Sequence, residues 1–458
     1  MGDVYVRDPI HGMIKLNSRE AALIKHEAFQ RLNRIRQLAM TYKVYPGATH
    51  TRFEHSLGVM HIVGQMMERL RQRDLIRKHF NPDEYDRLTQ LVRLAALLHD
   101  VGHAPFSHGG EECFASNLKH EHYSVAVIRE CFGPIINEYF PEIEIEEIIA
   151  LLEGLPLGTD KVFLGKLISG EMDADKLDYL LRDSYYCGVH YGKYDLHRIL
   201  DTITVIPARE NSSGELNEED QEIGVWLLGV DSDGIQAVEE LIFARYWMFI
   251  QVYFHKTRRI YDYYLSCFLK DWLSDIGCSA VFPLPDDLEN YLAFDDSTVL
   301  EAIKSKRKDN EWARRIYERD HLSEAFVTSP HHAGLESYYV ISELKNMFEE
   351  TFGPDCFVDD RARKLPTNPL FNLKKFEDDE EDSKKHRFGS ITVQDKHYPE
   401  KYQSIFELSL PLKLLSQKYI NIVRFYVPRE RKKEASEWCH QHYEQIKSKV
   451  KKIEEGWS

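Results

Sequence analysis

From Leu91 to Leu98 every residue except Arg93 is apolar, and His99, Asp100, His103 and His108 follow at once. A segment apolar nearly all round is buried, as helix or as strand. The polar lead-in of Asp83, Glu84, Asp86 and Arg87 makes the run long enough for a helix, and helix is the expectation. The stop signal comes immediately. Gly102 leaves helical geometry freely, and Pro105 biases Ala104 towards an extended shape. His99 and Asp100 therefore close a buried helix, with His103 in its last turn or just past it. A helix C-terminus carries partial negative charge and favours a cation. Imidazoles and a carboxylate beside a buried run suit a metal ion or an anionic substrate. The zinc-protease pattern His-Glu-x-x-His is excluded, because the second residue is Asp100 and Gly102 breaks the helix before His103. An adjacent His-Asp pair reads as two ligands of one metal, so other ligands must come from elsewhere in the chain.

The rest of the chain frames that stretch. Val4 to Leu16 reads as a short hairpin, and residues 20 to 40 show helical spacing. Thr51-Arg-Phe-Glu54 matches a capping box, which puts His55 in the first turn of a helix running through Leu57, Met60, Val63 and Met67. His120 opens another amphipathic helix. On the helix of residues 171 to 183, Asp175, Tyr179 and Asp183 share one face, and Asp173 and Asp178 are expected on a solvated acidic face. Residues 199 to 206 and 223 to 230 read as strands around an exposed polar loop at 210 to 215. A long aromatic helix is expected from 234 to 273. Its Arg245, Lys256, Arg258 and Arg259 cannot all be buried unpaired, so some face an anion or an acidic neighbour. Short helical patterns run to about 320 and again near 337 to 352. The mixed-charge run 374 to 387 reads as an exposed loop, Ile420 to Val427 as a strand, and the end from about 429 as a helix.

Bulk properties exclude several classes. No apolar run approaches the roughly 20 residues of a membrane span. Seven scattered cysteines without Cys-x-x-Cys read as reduced thiols of a cytoplasmic protein. A net charge of −16 argues against tight non-specific nucleic-acid binding, while leaving a local basic pocket open.

The ordered series His55, His99-Asp100 and Asp175 resembles the metal motif of the HD phosphohydrolases. The flanking text is more specific. Asp8-Pro-Ile-His-Gly12, Gln30-Arg-Leu32, Gln37-Leu38, Tyr45-Pro-Gly-Ala48, Arg52-Phe-Glu-His-Ser-Leu-Gly58, His99 to His108 and Asp173-Ala-Asp-Lys176 are similar to the deoxynucleoside triphosphate (dNTP) triphosphohydrolases of that family. The likeness covers roughly residues 3 to 270 and is to bacterial-type members, with no SAM domain preceding the HD region. It implies a mainly α fold: a helical HD core with short β-hairpins over residues 1 to 284, and a smaller C-terminal α+β region over 285 to 458.

The resemblance also implies roles. His55, His99, Asp100 and Asp175 would hold a divalent metal (Fe, Mn, Zn or Mg), since mixed imidazole and carboxylate ligands do not choose among them. His103, His108 and His120 match phosphate-side histidines, and Glu111 matches an acidic partner for His120. Arg52, Gln37, Lys176, Tyr179, Asp183 and Tyr253 match positions that hold phosphates, base or sugar. The implied reaction is water attack at the α-phosphate of a dNTP, giving a deoxynucleoside and inorganic triphosphate. A homo-tetramer is implied by the family alone. Gln30 is kept at the place where the mammalian relative binds an activating guanine nucleotide, but Lys25 and Asn33 depart from it, so an effector nucleotide is in question. Two other readings stay open on the same residues: a phosphodiesterase or nuclease acting on oligonucleotides or modified nucleotides, and a non-catalytic nucleotide sensor.

Overall fold

The computed structural model describes residues 2–208, 225–332, 335–364, 391–416 and 419–455. Its framework is a helical core with three small sheets, as expected. The expected loops at 210 to 215 and 374 to 387 lie outside the described residues.

The core is assembled on helix α1 (Arg52–Arg71), which packs against α2 (Pro82–Leu98) and α4 (Ala174–Cys187). Leu57, Met60, Val63 and Met67 of α1 and the whole run Leu94–Leu98 of α2 are withdrawn from solvent. Each of the leucine, valine and methionine side chains contributes roughly 1.5–3 kcal/mol of transfer free energy. Asn81 caps α2 by accepting from the Glu84 amide at 2.9 Å, and Pro82 follows at a position that needs no amide hydrogen. The helix ends at Leu98, with His99 as its last half-turn residue. Gly58 of α1 sets how closely α4 approaches, since a Cβ there would lie 1.9 Å from Asp178 Oδ1.

Past His99 the chain makes a tight loop that nearby elements hold from several sides. Phe106 (φ 58°) and Ser107 (φ 54°) are left-handed, which costs a residue with a Cβ roughly 1–2 kcal/mol each. Hydrogen bonds offset that strain. The Phe106 amide donates to Asp296 Oδ1 at 2.6 Å, and the Ser107 hydroxyl to the Arg36 carbonyl at 2.6 Å. The buried Arg31 donates to the His103 carbonyl at 2.9 Å, and Tyr291 to the Gly102 carbonyl at 2.7 Å. The short helix α3 (His120–Val127) packs so closely on this loop that a Cβ on Gly102 would lie 2.1 Å from the Ser124 nitrogen.

The hairpin is present: β1 (Val4–Asp8) pairs antiparallel with β2 (Gly12–Leu16). In the second sheet β3 (Ile203–Ala208) pairs antiparallel with β4 (Val225–Asp231). Strand β7 (Thr392–Gln394) joins β4 in parallel, with β8 (Tyr402–Ser404) at the edge. The third sheet has the order β5 (Ser323–Val327), β9 (Ile420–Val427), β6 (Phe357–Lys364). It is covered by α7 (Leu335–Phe352) and α8 (Lys432–Glu455) around Phe326, Phe348, Phe425 and Trp438.

Four local expectations are corrected. Residues 20 to 40 form two short helices and 3-10 turns rather than one helix, because His26 starts a new helix by accepting from the Ala28 amide and Ile35 is extended. That break turns Arg31 inward. Residues 196 to 202 form a helix, started by Asp195 capping the Arg198 amide at 2.9 Å, before the strand begins at Ile203. Thr51 does not cap α1; its hydroxyl donates to Glu54 Oε2 at 2.8 Å. The long aromatic helix is two, α5 (Ile235–Met248) and α6 (Lys256–Asp275), separated by a π-turn at Phe249–Tyr253 and by the cap at His255. The four cations of that stretch do find acids: Arg245 with Glu171, Lys256 with Glu324, Arg258 with Asp262 and Arg259 with Asp359.

Gly102→Ala should lower stability by about 1–3 kcal/mol through overpacking against Ser124 and His120. The shift of the urea midpoint at unchanged slope would measure it; an unshifted midpoint would mean that the contact relaxes freely.

Candidate functional site

Two clusters of titratable side chains meet where α1, α2, α4 and the loop after α2 converge. In the first, His55 Nε2 lies 3.6 Å from Asp100 Oδ2 and 3.0 Å from Asp175 Oδ1. His99 Nε2 lies 3.3 Å from Asp100 Oδ1 and 3.9 Å from Asp175 Oδ1. One ligand atom each from His55, His99 and Asp100 falls within 4.8 Å of the others. Asp175, from the first turn of α4, stands at the opening with its side chain 34% exposed.

The partners of the two imidazoles fix which nitrogen faces inward. His55 Nδ1 pairs with Asp178 Oδ2 at 2.8 Å, and His99 Nδ1 with the Ala96 carbonyl at 2.7 Å. With those nitrogens donating, both Nε2 atoms present lone pairs to the centre. Both are buried and make no hydrogen bond. Two aimed, unpartnered nitrogens beside buried carboxylates are the donor set of a divalent cation, and the arrangement is able to hold one.

The electrostatics agree. Burial opposes charge on His55, but the Asp175, Asp178 and Asp100 carboxylates outweigh it and hold the imidazolium up to about 10. Burial likewise opposes ionisation of Asp100, yet Arg52, His99 and His103 keep it well below the usual carboxylate range. The surrounding carboxylates favour positive charge at His55, which a proton or a metal ion can supply.

Asp173 and Asp178 are not on a solvated face; both are buried. Asp173 caps α4, accepting from the Lys176 amide at 2.7 Å and pairing with Lys176 Nζ at 2.6 Å. Asp178 lies beneath the first cluster, held by Arg182, His11 and His55. Arg182 in turn pairs with Asp8 at 2.7 Å. An acidic residue spaced for the polar side of a helix is here a buried support for a histidine.

The second cluster gathers His103, His108, Glu111 and His120. Their Nδ1 atoms lie 3.1, 3.0 and 2.9 Å from the same atom, Glu111 Oε1. The His103 and His120 rings stack at 3.8 Å. Burial favours a neutral Glu111, and His103, His108 and His120 outweigh it, so the carboxylate stays ionised far below its usual range. Burial, Arg52 and His120 push His103 down to about 3. His120 goes the other way: burial opposes its charge, and Glu111 more than compensates. His103 Nε2 faces Asp100 Oδ1 at 3.2 Å, so this one imidazole joins the clusters. Arg52 is also shared, reaching Asp100 Oδ2 at 2.5 Å and the Ser107 hydroxyl at 2.7 Å.

Farther along α4 the π-turn carries Tyr253 inward, where its hydroxyl donates to Asp183 Oδ2 at 2.7 Å. Asp183 Oδ1 pairs with His50 Nε2 at 2.7 Å, and His50 stacks on Tyr186. Tyr179 lies edge-on to Tyr253. Gln37 Oε1 is buried without a partner. Of the expected binding residues, Arg52, Asp183 and Tyr253 have well-defined partners, and Lys176 is paired with Asp173. Sequence reasoning assigned no role to His11 or His50, because neither has a spacing that links it to α4. Arg31 was missed because its helix was read as continuous.

A helical core with a His-Asp centre at the end of a buried helix defines a metal-site protein, and the comparisons say which kind. A model of the HD domain matches residues 52–183, and a model of the HD-associated region matches residues 222–361. An uncharacterized protein of Methanocaldococcus jannaschii is 34% identical over 366 residues, spanning 77% of this chain and 68% of that one. The deoxynucleoside triphosphate triphosphohydrolase SAMHD1 of Gallus gallus is 29% identical over 346 residues, covering 68% of this chain and 53% of its own length. Among solved structures, a hypothetical protein from Aquifex aeolicus superposes with a TM-score of 0.71 at 30% identity, covering 95% of this chain and 99% of that one. The chain therefore belongs to the HD-domain phosphohydrolase family, among the relatives of the dNTP triphosphohydrolases. No helix among the described residues is long and apolar enough to cross a membrane.

Two measurements test the first cluster. Asp178→Asn should weaken Mn²⁺ binding about 10–100-fold, the usual effect of losing the partner behind a ligand histidine; unchanged affinity in titration calorimetry would contradict the support role. His55, raised above its unfolded value near 6.5, stabilises the metal-free fold fully below that pH and loses the contribution as pH rises towards 10. A cation must displace that proton. Calorimetry at pH 8 in buffers of different ionisation enthalpy should therefore read about one proton released per ion bound.

Proposed function

We propose that the chain is a metal-dependent dNTP triphosphohydrolase that cleaves dNTPs to a deoxynucleoside and inorganic triphosphate. The observation that carries this reading is the contact between His103 and Asp100, which sets a cation-demanding centre directly against a histidine–carboxylate cluster suited to proton transfer. The likeness to SAMHD1 adds the substrate class.

His55, His99, Asp100 and Asp175 would hold the metal, with Fe, Mn, Zn and Mg all compatible with two imidazoles and two carboxylates. When bound, the ion supplies Lewis-acid polarisation of the α-phosphate and a more acidic water. The protein groups do the rest. Arg52, Lys176, His103 and His108 face the charge that accumulates on the phosphate as water attacks phosphorus. The bond from the α-phosphorus to the 5′ oxygen breaks, and that oxygen leaves as the sugar hydroxyl. His120, kept protonated by Glu111 against the cost of burial, donates the proton it needs. Asp183, oriented by Tyr253 and His50, accepts from the 3′-hydroxyl, while Gln37 and Tyr179 border the sugar.

Each dNTP, alone and mixed, is incubated with the protein and Mn²⁺ or Mg²⁺, and the products are resolved by anion exchange. Deoxynucleoside plus intact triphosphate is expected; no nucleoside under any combination would reject the reading. His120→Ala should keep its metal and lose about 10²–10⁴-fold in turnover. Asp183→Ala should raise KM about 10–100-fold with metal content unchanged, the weight of a hydrogen bond to a charged group.

A further inference from the structure

The second cluster has the composition of a metal site in its own right. Three imidazole nitrogens and one carboxylate oxygen, from His103, His108, His120 and Glu111, all lie within 4.8 Å of one another. Each nitrogen stands 2.9–3.1 Å from Glu111 Oε1. A tetrahedral zinc ion with bonds of about 2.0–2.1 Å has ligand atoms about 3.3 Å apart, so each nitrogen would move only a few tenths of an ångström from Glu111 Oε1 to admit the ion.

Hydrogen bonding leaves this cluster unsatisfied. Only His108 meets Glu111 in hydrogen-bonding geometry, whereas the Nδ1 atoms of His103 and His120 are buried and lie close to the same oxygen without making a hydrogen bond. His103 is 1% exposed, so water does not reach its Nδ1. A neutral imidazole has one proton for two neighbours. If His103 places it on Nε2 against Asp100, its Nδ1 lone pair confronts a carboxylate oxygen at 3.1 Å. A cation between them resolves the clash. The proton on Nε2 would then bond to an acid, as the outer nitrogen of a metal-bound histidine commonly does.

We propose that His103, His108, Glu111 and His120 form a second, zinc-selective site, separate from the His55–His99–Asp100 centre. Three nitrogens and one oxygen favour zinc over Mg²⁺ or Mn²⁺, which prefer oxygen-rich sites. The consequence of filling the site rests on the function proposed above: zinc on His120 Nδ1 replaces the proton that Glu111 holds there, so the ring is no longer the imidazolium that donates, and zinc inhibits turnover at this site. His108, 65% exposed, closes the site from the solvent side.

Metal-stripped protein is dialysed against dilute Zn²⁺, washed, and its zinc counted by mass spectrometry. Wild type should retain about two ions per chain, and His108→Ala and His55→Ala about one each. Because His108 is on the surface, its alanine variant keeps the fold, and Co²⁺ added to wild type but not to that variant should give the intense visible band of tetrahedral coordination. One zinc in wild type, or the same count in wild type and His108→Ala, would overturn the site. Zinc that fills it without slowing the Mn²⁺-supported reaction would overturn the inhibition. Two zinc ions in a protein that releases no deoxynucleoside would count against the proposed function and leave the site standing.

Discussion

A fully buried carboxylate, Asp178, is the constraint to which the centre is fitted. Removing one partner of such a buried charge typically costs about 3–5 kcal/mol, so its surroundings must supply donors from every side. Arg182 grips both oxygens, His11 donates from the N-terminal hairpin region, and His55 donates from α1. Gly58 exists to let that oxygen in. The N-terminal hairpin and α1 are thereby pinned to one point on α4. The price of burying the charge is also what orients His55 Nε2 towards Asp100 and Asp175.

A similar economy governs the loop after α2. Two left-handed residues would be a poor choice in an exposed turn. Here Arg31, Arg36, Asp296 and Tyr291 bind its backbone and side chains, so His103 and His108 are presented by a rigid structure rather than by a mobile one. Rigid presentation matters wherever charge must be stabilised without reorganisation.

Much of this was legible in the residues. The buried run ending at Leu98, the stop at Gly102, and the position of His55 in the first turn of α1 all follow from local rules, and the structure has them. So does the pairing of the cations between 245 and 259. What could not be read were contacts across the fold. Helical spacing says which residues share a face, not whether that face meets water, and Asp178 was misjudged for that reason. The interruption at Phe249–Tyr253 left no mark in composition, because a π-turn needs no glycine or proline. The strand at Ile199 was a short apolar run, where periodicity does not separate helix from strand. His50 meets Asp183 across 133 residues of sequence, and no local pattern encodes that.

The pairing of Asp183 with His50 and Tyr253 has a further effect on what this end of the proposed site would accept. Each carboxylate oxygen already accepts one bond, and an ionised carboxylate has about four lone-pair sites, so two remain. None of them can donate. That end of the proposed site is thus polarised: a hydroxyl or an amine brought there would find an open acceptor, whereas a carbonyl or an oxyanion would meet repulsion. In the reading proposed above, a molecule with an anionic head and a hydroxyl-bearing tail would have one way round in which both ends are satisfied, and the reversed orientation would be refused at both.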